Sequence, residues 1–336
     1  AKYGKRLKEK DYRNLLDCKS VAEVAAYLKA NTDYHDVLTG INEYDIHRGQ
    51  LEVLIKQKLF YNLSSFVRYE LSVGEQLADY VIARAEIEEI LDALMLMSAG
   101  RQEEYSQAAP LYLAKHTKIH MEQFSSIQTY GEFLDALGSS VYRRLLAPFE
   151  PKPGEPVDVF AVENQLYSYL FSHVQEIIDH RVRGKTKKEV RELFQGYIDL
   201  ENYARIIRMK KRFRAHPEFI EKNLLPFGSL KPKQLNALIH AETANQAAAI
   251  FRTTSRGKKT ANVEYNFVDE LAQRIKFISG KHYIHFSSHP PVVLLSYIFL
   301  ADTEVHNITT IVEGIRYQVS VDDIKKLLIL PTDKAG

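Results

Sequence analysis

An all-α chain built from three related helical units is what this sequence predicts, and three observations carry the prediction. One amphipathic helix recurs as Ala85–Met97, Ile198–Lys210 and Thr303–Ile315, at offsets of 113 and 105 residues. Laid over one another without a gap, these segments align Glu86 with Asp199 and Glu304, and Glu89 with Asn202 and Asn307. The apolar seam follows in register as Ile87, Leu200 and Val305, then Ile90, Tyr203 and Ile308, then Leu94, Ile207 and Val312. The same order of elements surrounds each copy. Strand-like alternation is scarce, and the breakers gather in the connections: Pro148 to Pro156, Pro217, Pro226 with Gly228, Pro232 and Pro290-Pro291.

Each unit opens on a short helix. It reads as SVAEVAAYLKANTDYHDVL from Ser20 and as TYGEFLDALGSSVYRRLL from Thr129, with Glu23 on Glu132, Leu28 on Leu137 and Tyr34 on Tyr142 after one insertion. A weaker copy, TANQAAAIFRTTSRGKK from Thr243, puts Phe251 on Leu137 and Thr254 on Ser140. The Ser/Thr-x-x-Glu opening of the first two predicts a capping box, in which hydroxyl and carboxylate satisfy orphan amides reciprocally. A second helix, rich in Phe, Tyr and Leu, is expected to open at Leu51-Glu52, Val162-Glu163 and Val263-Glu264.

The third element is the recurring amphipathic helix. Val292–Leu300 has β-branched residues at its start, yet its place just before the third copy predicts helix. The units run 1–104, 105–215 and 216–336. They are longer than ordinary solenoid repeats, so packing about a pseudo-threefold axis is expected rather than a stack.

Length and composition bound the rest. With 336 residues, 45% hydrophobic and 26% charged, the chain suits a soluble globular protein of two or three domains. A net charge of +2, from 45 basic and 43 acidic side chains, does not point to nucleic acid. Cys18 is the only cysteine, which excludes an internal disulfide and makes a cytosolic setting the expectation. The opening AKYGKRLKEKDYR lacks the apolar run of a signal peptide, and Val292–Ala301 is about half the roughly 20 residues of a membrane span.

Catalytic patterns are scarce. The chain contains no phosphate-cradling Gly-x-x-x-x-Gly-Lys-Ser/Thr, no Gly-x-Gly-x-x-Gly after a strand and no Gly-x-Ser-x-Gly. Cys18 has no nearby histidine. His116 and His120 are spaced to share a helix face, and His282, His285 and His289 would make a three-imidazole zinc site. Asp179-His180 resembles the dyad of HD-type phosphohydrolases. In each case the structural reading is preferred: Thr117 stands where a zincin has glutamate, the third histidine follows a helix end, and further ligands for the dyad are lacking.

Charge clustering is more informative. Glu201, Arg205, Arg208 and Arg212 follow one another along one helical stripe, extended by Lys210, Lys211 and Arg214 and preceded by Arg181, Arg183, Lys185, Lys187 and Lys188. Read as solvated, this is a face of snorkelling stems. Read as functional, Arg205, Arg208, Lys211 and Arg212 form a strip that meets an acidic protein surface. The shared Glu/Asp positions are expected in the first turn of each repeat helix, favouring its dipole, with the Asn positions bonding nearby backbone.

At this point the residues resemble a known family. ENYARIIRMKKRF from Glu201, EVHNITTIVEGIRY from Glu304, the opening YGKRLKEKDYRNLLDCKSVAEVAAYLK from Tyr3, and LLPFGSL from Leu224 to Leu230 are similar to the C-subunit (also d-subunit) family of V-type and archaeal-type rotary ATPases. The likeness covers essentially the whole chain. It implies a funnel-shaped body of three pseudo-threefold lobes, without nucleotide, metal, cofactor or catalytic residue of its own. It further implies peripheral association with the cytoplasmic face of the membrane rotor ring, receipt of the central stalk's foot, and a further contact with the membrane stator. The chain departs from the repeat at Glu89, where the other copies have Asn, and at Arg256, where the short helix loses its tyrosine. The alternatives are a helical metal-dependent hydrolase using the histidine groups, and a general helical scaffold.

Overall fold

Among the residues described by the computed structural model, 3–67, 74–107 and 110–330, there are sixteen α-helices and no strand. Ala1 and Lys2 of the charged opening lie outside the described residues. The chain forms two compact units, one of Ala1–Tyr27 with Gln175–Gly336 and one of Leu28–Val174. Their boundaries fall inside the Val21–Asn31 and Val159–His180 helices.

The three repeat segments occupy the later part of long helices, Gly74–Ser98, Gly184–Arg208 and Pro290–Arg316. The β-branched stretch Val292–Leu300 is helical, as its position predicts. The seam is buried in every copy, Ile87, Leu200, Ile90, Tyr203, Ile308, Leu94 and Val312 being nearly inaccessible, while Val305 is half-buried. A stripe at helical spacing can put all these side chains on one face, where each buried aliphatic contributes about 1.5–3 kcal/mol.

The short helices start as their sequences dictate. Glu23 N–H donates to Ser20 Oγ at 3.1 Å, and Lys19 N–H donates to the Glu23 carboxylate at 2.7 Å. Thr129 and Glu132 form the reciprocal box, with both bonds at 3.2 Å. In the third copy, Gln246 N–H donates to Thr243 Oγ1 at 3.1 Å, and Gln246 Oε1 accepts from Glu242 N–H at 2.6 Å.

One expected start is displaced. Val263-Glu264 lies in a connection, and the third apolar helix begins at Val268. Thr260 turns the chain back on Val263, and Glu270 caps the new start by accepting from Asn266 N–H at 2.7 Å. With Asp269 and Glu270 in the first turn, the helix dipole is better served here than five residues earlier.

The helix exits also repeat, which the sequence hides. Gly100, Arg214 and Gln318 are all left-handed, at φ 67°, 47° and 54°. The next residue closes each helix: Arg101 N–H donates to Leu96, Ala215 to Met209 and Val319 to Gly314, at 2.8, 3.2 and 2.9 Å. These are Schellman-type ends, and in the second copy the loop is one residue wider because Met209–Phe213 is a π-turn.

Candidate functional site

The shared polar positions lie mid-helix, not in the first turn, so the dipole reading is corrected: backbone amides there are already paired within the helix. Each acid instead receives a connecting segment. In the Leu28–Val174 unit, Glu86 accepts from Thr117 Oγ1 at 2.5 Å and from the Tyr142 hydroxyl at 2.8 Å. Burial pushes the Glu86 carboxyl above its usual value, and the two hydroxyls partly offset that.

In the other unit, Asp199 is 1% exposed and accepts from Ser229 N–H at 2.8 Å, Leu230 N–H at 3.1 Å and Ser229 Oγ at 2.5 Å. Arg256 Nε stands 3.5 Å from the same carboxylate. Arg256 therefore meets the acid that its aligned tyrosine, Tyr142, meets in the other copy. The small residue at the matching helix position makes room: Tyr142 rests over Ala83, whose carbonyl it bonds at 3.3 Å, while a Cβ on Gly196 would lie 2.6 Å from the Arg256 guanidinium.

Glu304 takes its donors from far upstream in the chain. Leu7 N–H donates to it at 2.8 Å, Arg6 Nε lies at 3.4 Å, and Arg6 also donates to the Leu300 carbonyl.

One turn on, Asn202 bonds the Leu225 backbone twice, as donor to its carbonyl at 2.8 Å and acceptor from its N–H at 2.7 Å. Asn307 clasps Ile329 in the same way, at 2.7 and 3.0 Å. The expected role of the two asparagines is what the structure shows. Glu89, their counterpart, is 5% exposed and accepts from the Tyr105 hydroxyl at 2.8 Å. Burial pushes its carboxyl up to about 7, against the pull of Lys56 and the Tyr105 bond. What these seats do chemically is hold loops on helices. Their carboxylates are occupied by donors, so none is presented as a general base.

The segment LLPFGSL becomes legible as a clasp. Phe227 is left-handed at φ 70°, and a Cβ on Gly228 would stand 2.5 Å from Asp199 Oδ1, so the loop can approach its acid only with glycine there.

The basic strip is not one continuous exposed face. Arg205 is 4% exposed and points inward, donating to the Asn223 carbonyl at 3.1 Å. It holds the connector after its own helix. Arg208 is half-buried and pairs with Asp269 at 3.1 Å. Lys210 turns back to donate to the Ile239 and Ala241 carbonyls, both at 2.6 Å. Lys211, Arg212 and Arg214 are exposed around the π-turn, together with Phe213 at 73%. The turn redirects the chain after Arg208, which helical spacing does not anticipate.

The metal candidates are not brought together. His116 and His120 lie in a non-helical segment, in which Thr117 bonds Glu86; His116 faces the Phe60 ring at 5.4 Å and His120 lies 3.5 Å from Glu122. His282 packs on Tyr283 and Phe286, whereas His289 pairs with Thr186 Oγ1 at 2.9 Å beyond the helix end. Asp179 is engaged by Gln175, Lys187 and Arg191, whose bonds push its carboxyl down to about 2. No group of three or more His, Cys, Asp or Glu suited to a metal occurs among the described residues. Burial raises the Cys18 thiol above its usual value, which leaves little thiolate for nucleophilic chemistry. Among the described residues no helix is long and apolar enough to cross a membrane.

The chain is similar to known proteins. The chain is 26% identical over 300 residues to the C subunit of the A-type ATP synthase of Methanosarcina acetivorans, covering 85% of this chain and 72% of that one. To the same A-type ATP synthase component of Methanosarcina mazei it is 24% identical over 288 residues, with the same shares covered. Residues 1–327 match the ATP synthase (C/AC39) subunit model, and the chain belongs to that family.

Proposed function

We propose that this chain is a non-catalytic rotor subunit of a V/A-type ATPase, which docks the central stalk onto the membrane rotor ring and transmits torque for ATP-coupled proton or sodium transport. Family membership supports a subunit of such a complex. The observation that carries the rotor reading is the common build of the three acid seats. Glu86 and Asp199 are each occupied by the connector that follows in the chain, whereas Glu304 is occupied by Arg6 and Leu7 from the chain's beginning. A segment of the first unit that serves the acid of the third suits three units, 1–104, 105–215 and 216–336, closing around an axis. A torque coupling also needs stiffness, and side chains that pin loops to long helices supply it.

The partners in this reading are the proteolipid ring and the central stalk, with the membrane stator as a further contact at the cytoplasmic face. The face we assign to an acidic partner is Arg208, Lys211 and Arg212; Arg205 contributes by holding the 223–225 connector in place. The test is co-purification from detergent-solubilised membranes. The unaltered chain is expected to bring down ring and stalk proteins. Arg208→Glu, Lys211→Glu and Arg212→Glu together are expected to reduce that recovery at least about tenfold at physiological salt, with helicity and melting temperature unchanged. Full recovery with the triple variant removes this face from the interface, and failure of the unaltered chain to recover either partner rejects the rotor reading.

A further inference from the structure

The exit of the Gly184–Arg208 helix differs from its two counterparts in what it shows to solvent. The chain leaves that helix through the Met209–Phe213 π-turn and the left-handed Arg214, at φ 47° and ψ 40°. Phe213 is 73% exposed and makes no ring or cation contact among the described residues. Lys211, Arg212 and Arg214 are exposed beside it, and their side chains form no ion pair or hydrogen bond among the described residues. From Met209 to Pro217 the sequence has no acidic residue. Arg208 and Lys210 are instead engaged, by Asp269 and by the Ile239 and Ala241 carbonyls.

The other two exits are quieter. The first runs through Ala99 and Gly100 to Arg101, which pairs with Glu104 at 2.6 Å. In the third, Tyr317 is also exposed before the left-handed Gln318, but Arg316 stacks on its ring at 5.4 Å. Only the second of these exits sets a bare ring among unpaired cations. Arg214 adds an independent argument. Glycine takes the left-handed conformation freely, as Gly100 does at the matching place, whereas a Cβ disfavours it. Arginine brings the turn no benefit there, so what it offers is its guanidinium.

We infer that Phe213 is the anchor by which this face grips a protein partner, entering an apolar pocket bordered by carboxylates that meet Lys211, Arg212 and Arg214. The contact is the one already assigned to an acidic partner, and it rests on that reading. An aromatic anchor inside a charged rim is a common build for the centre of an interface. Charge complementarity selects the occupant: unpaired cations around one ring call for acids around one pocket. A bilayer suits the face less. One ring with three cations is a marginal anchor, and Glu218 and Glu221 are exposed on the Pro217–Lys222 helix that follows, where an anionic sheet would oppose them.

The test replaces Phe213 in the full chain by the photo-cross-linker p-benzoylphenylalanine and irradiates it in native membranes before solubilisation. A protein adduct is expected, its cross-linked peptide carrying apolar residues among Asp or Glu. In parallel co-purifications, Phe213→Ala lowers recovery of the cross-linked protein at least about tenfold, and Arg214→Gly at least about threefold. The thermal midpoint is unchanged in the first variant and unchanged or raised in the second, since glycine suits the left-handed turn. A role confined to folding would lower the midpoint instead. An adduct to lipid, an adduct to a peptide without carboxylates, no adduct, or full recovery with both variants would each overturn the assignment. The adduct is read on whichever protein carries it, so its failure is distinct from failure to recover ring or stalk.

Discussion

Asn202 and Asn307 on one side and Glu89 on the other occupy the same place in three copies of one helix, and they solve the same problem differently. An amide side chain both donates and accepts, so each asparagine closes two bonds on one backbone residue, Leu225 or Ile329. An ionised carboxylate only accepts. Glu89 cannot make that clasp in its charged form, and it takes a hydroxyl from Tyr105 instead. A polar position recurs because the fold needs a loop tied there, while the type of residue decides whether the tie is independent of pH.

That comparison is broken most directly at an asparagine. Asn202→Leu removes two bonds and strands the buried N–H and C=O of Leu225, so a loss on the order of 3–4 kcal/mol is expected by chemical denaturation. Loss below about 1 kcal/mol would show that the clasp is replaceable by water.

Glu89→Gln sharpens it next. The folded carboxyl sits at about 7 against an ordinary 4.5, so the folded chain keeps a proton that the unfolded chain has released. Glu89 therefore favours folding fully only below about pH 4.5, loses that contribution as pH rises to about 7, and carries a constant penalty above. The glutamine variant is expected to be more stable than the parent by roughly 2–3 kcal/mol at pH 8 and by little at pH 4.5, measured as paired denaturation curves. A stability difference independent of pH would assign Glu89 an ordinary ionisation.

Gly228→Ala tests the acid seat beside the Asn202 clasp. Its methyl group meets Asp199, and a cost of about 1–3 kcal/mol is expected, with hydrogen exchange rising first at Ser229 and Leu230. Arg208→Ala is expected to be the mildest change, within about 0.5 kcal/mol, because its pair with Asp269 is partly solvated. An effect on melting as large as that of Asn202→Leu would make Arg208 a structural residue instead of a surface one.

Much of the fold was legible in the residues. The Ser20, Thr129 and Thr243 starts, the buried seam and the helical state of Val292–Leu300 depend on interactions within a few residues, which sequence patterning records. The start of the Val268–Phe286 helix differs from the expected Val263-Glu264 because the turn at Thr260 holds Val263 and Glu270 caps the chain at Asn266. Periodicity puts Arg205 on one stripe with Arg208 and Arg212 but does not anticipate its inward turn, since a charged side chain is drawn inside only where a distant carbonyl, here that of Asn223, waits for it.

The sequence by itself determined that the chain is helical, that one pattern recurs three times and that each copy carries an acid with an amide or acid one turn on. Tertiary structure alone decided what those groups hold. Tyr142 and Arg256 reach equivalent carboxylates by different chemistry, and Arg6 and Leu7 serve Glu304 across nearly the full length of the chain. The physical reason is range: helix formation and capping are settled within one or two turns, whereas a buried carboxylate is satisfied by whichever donor folding brings to it.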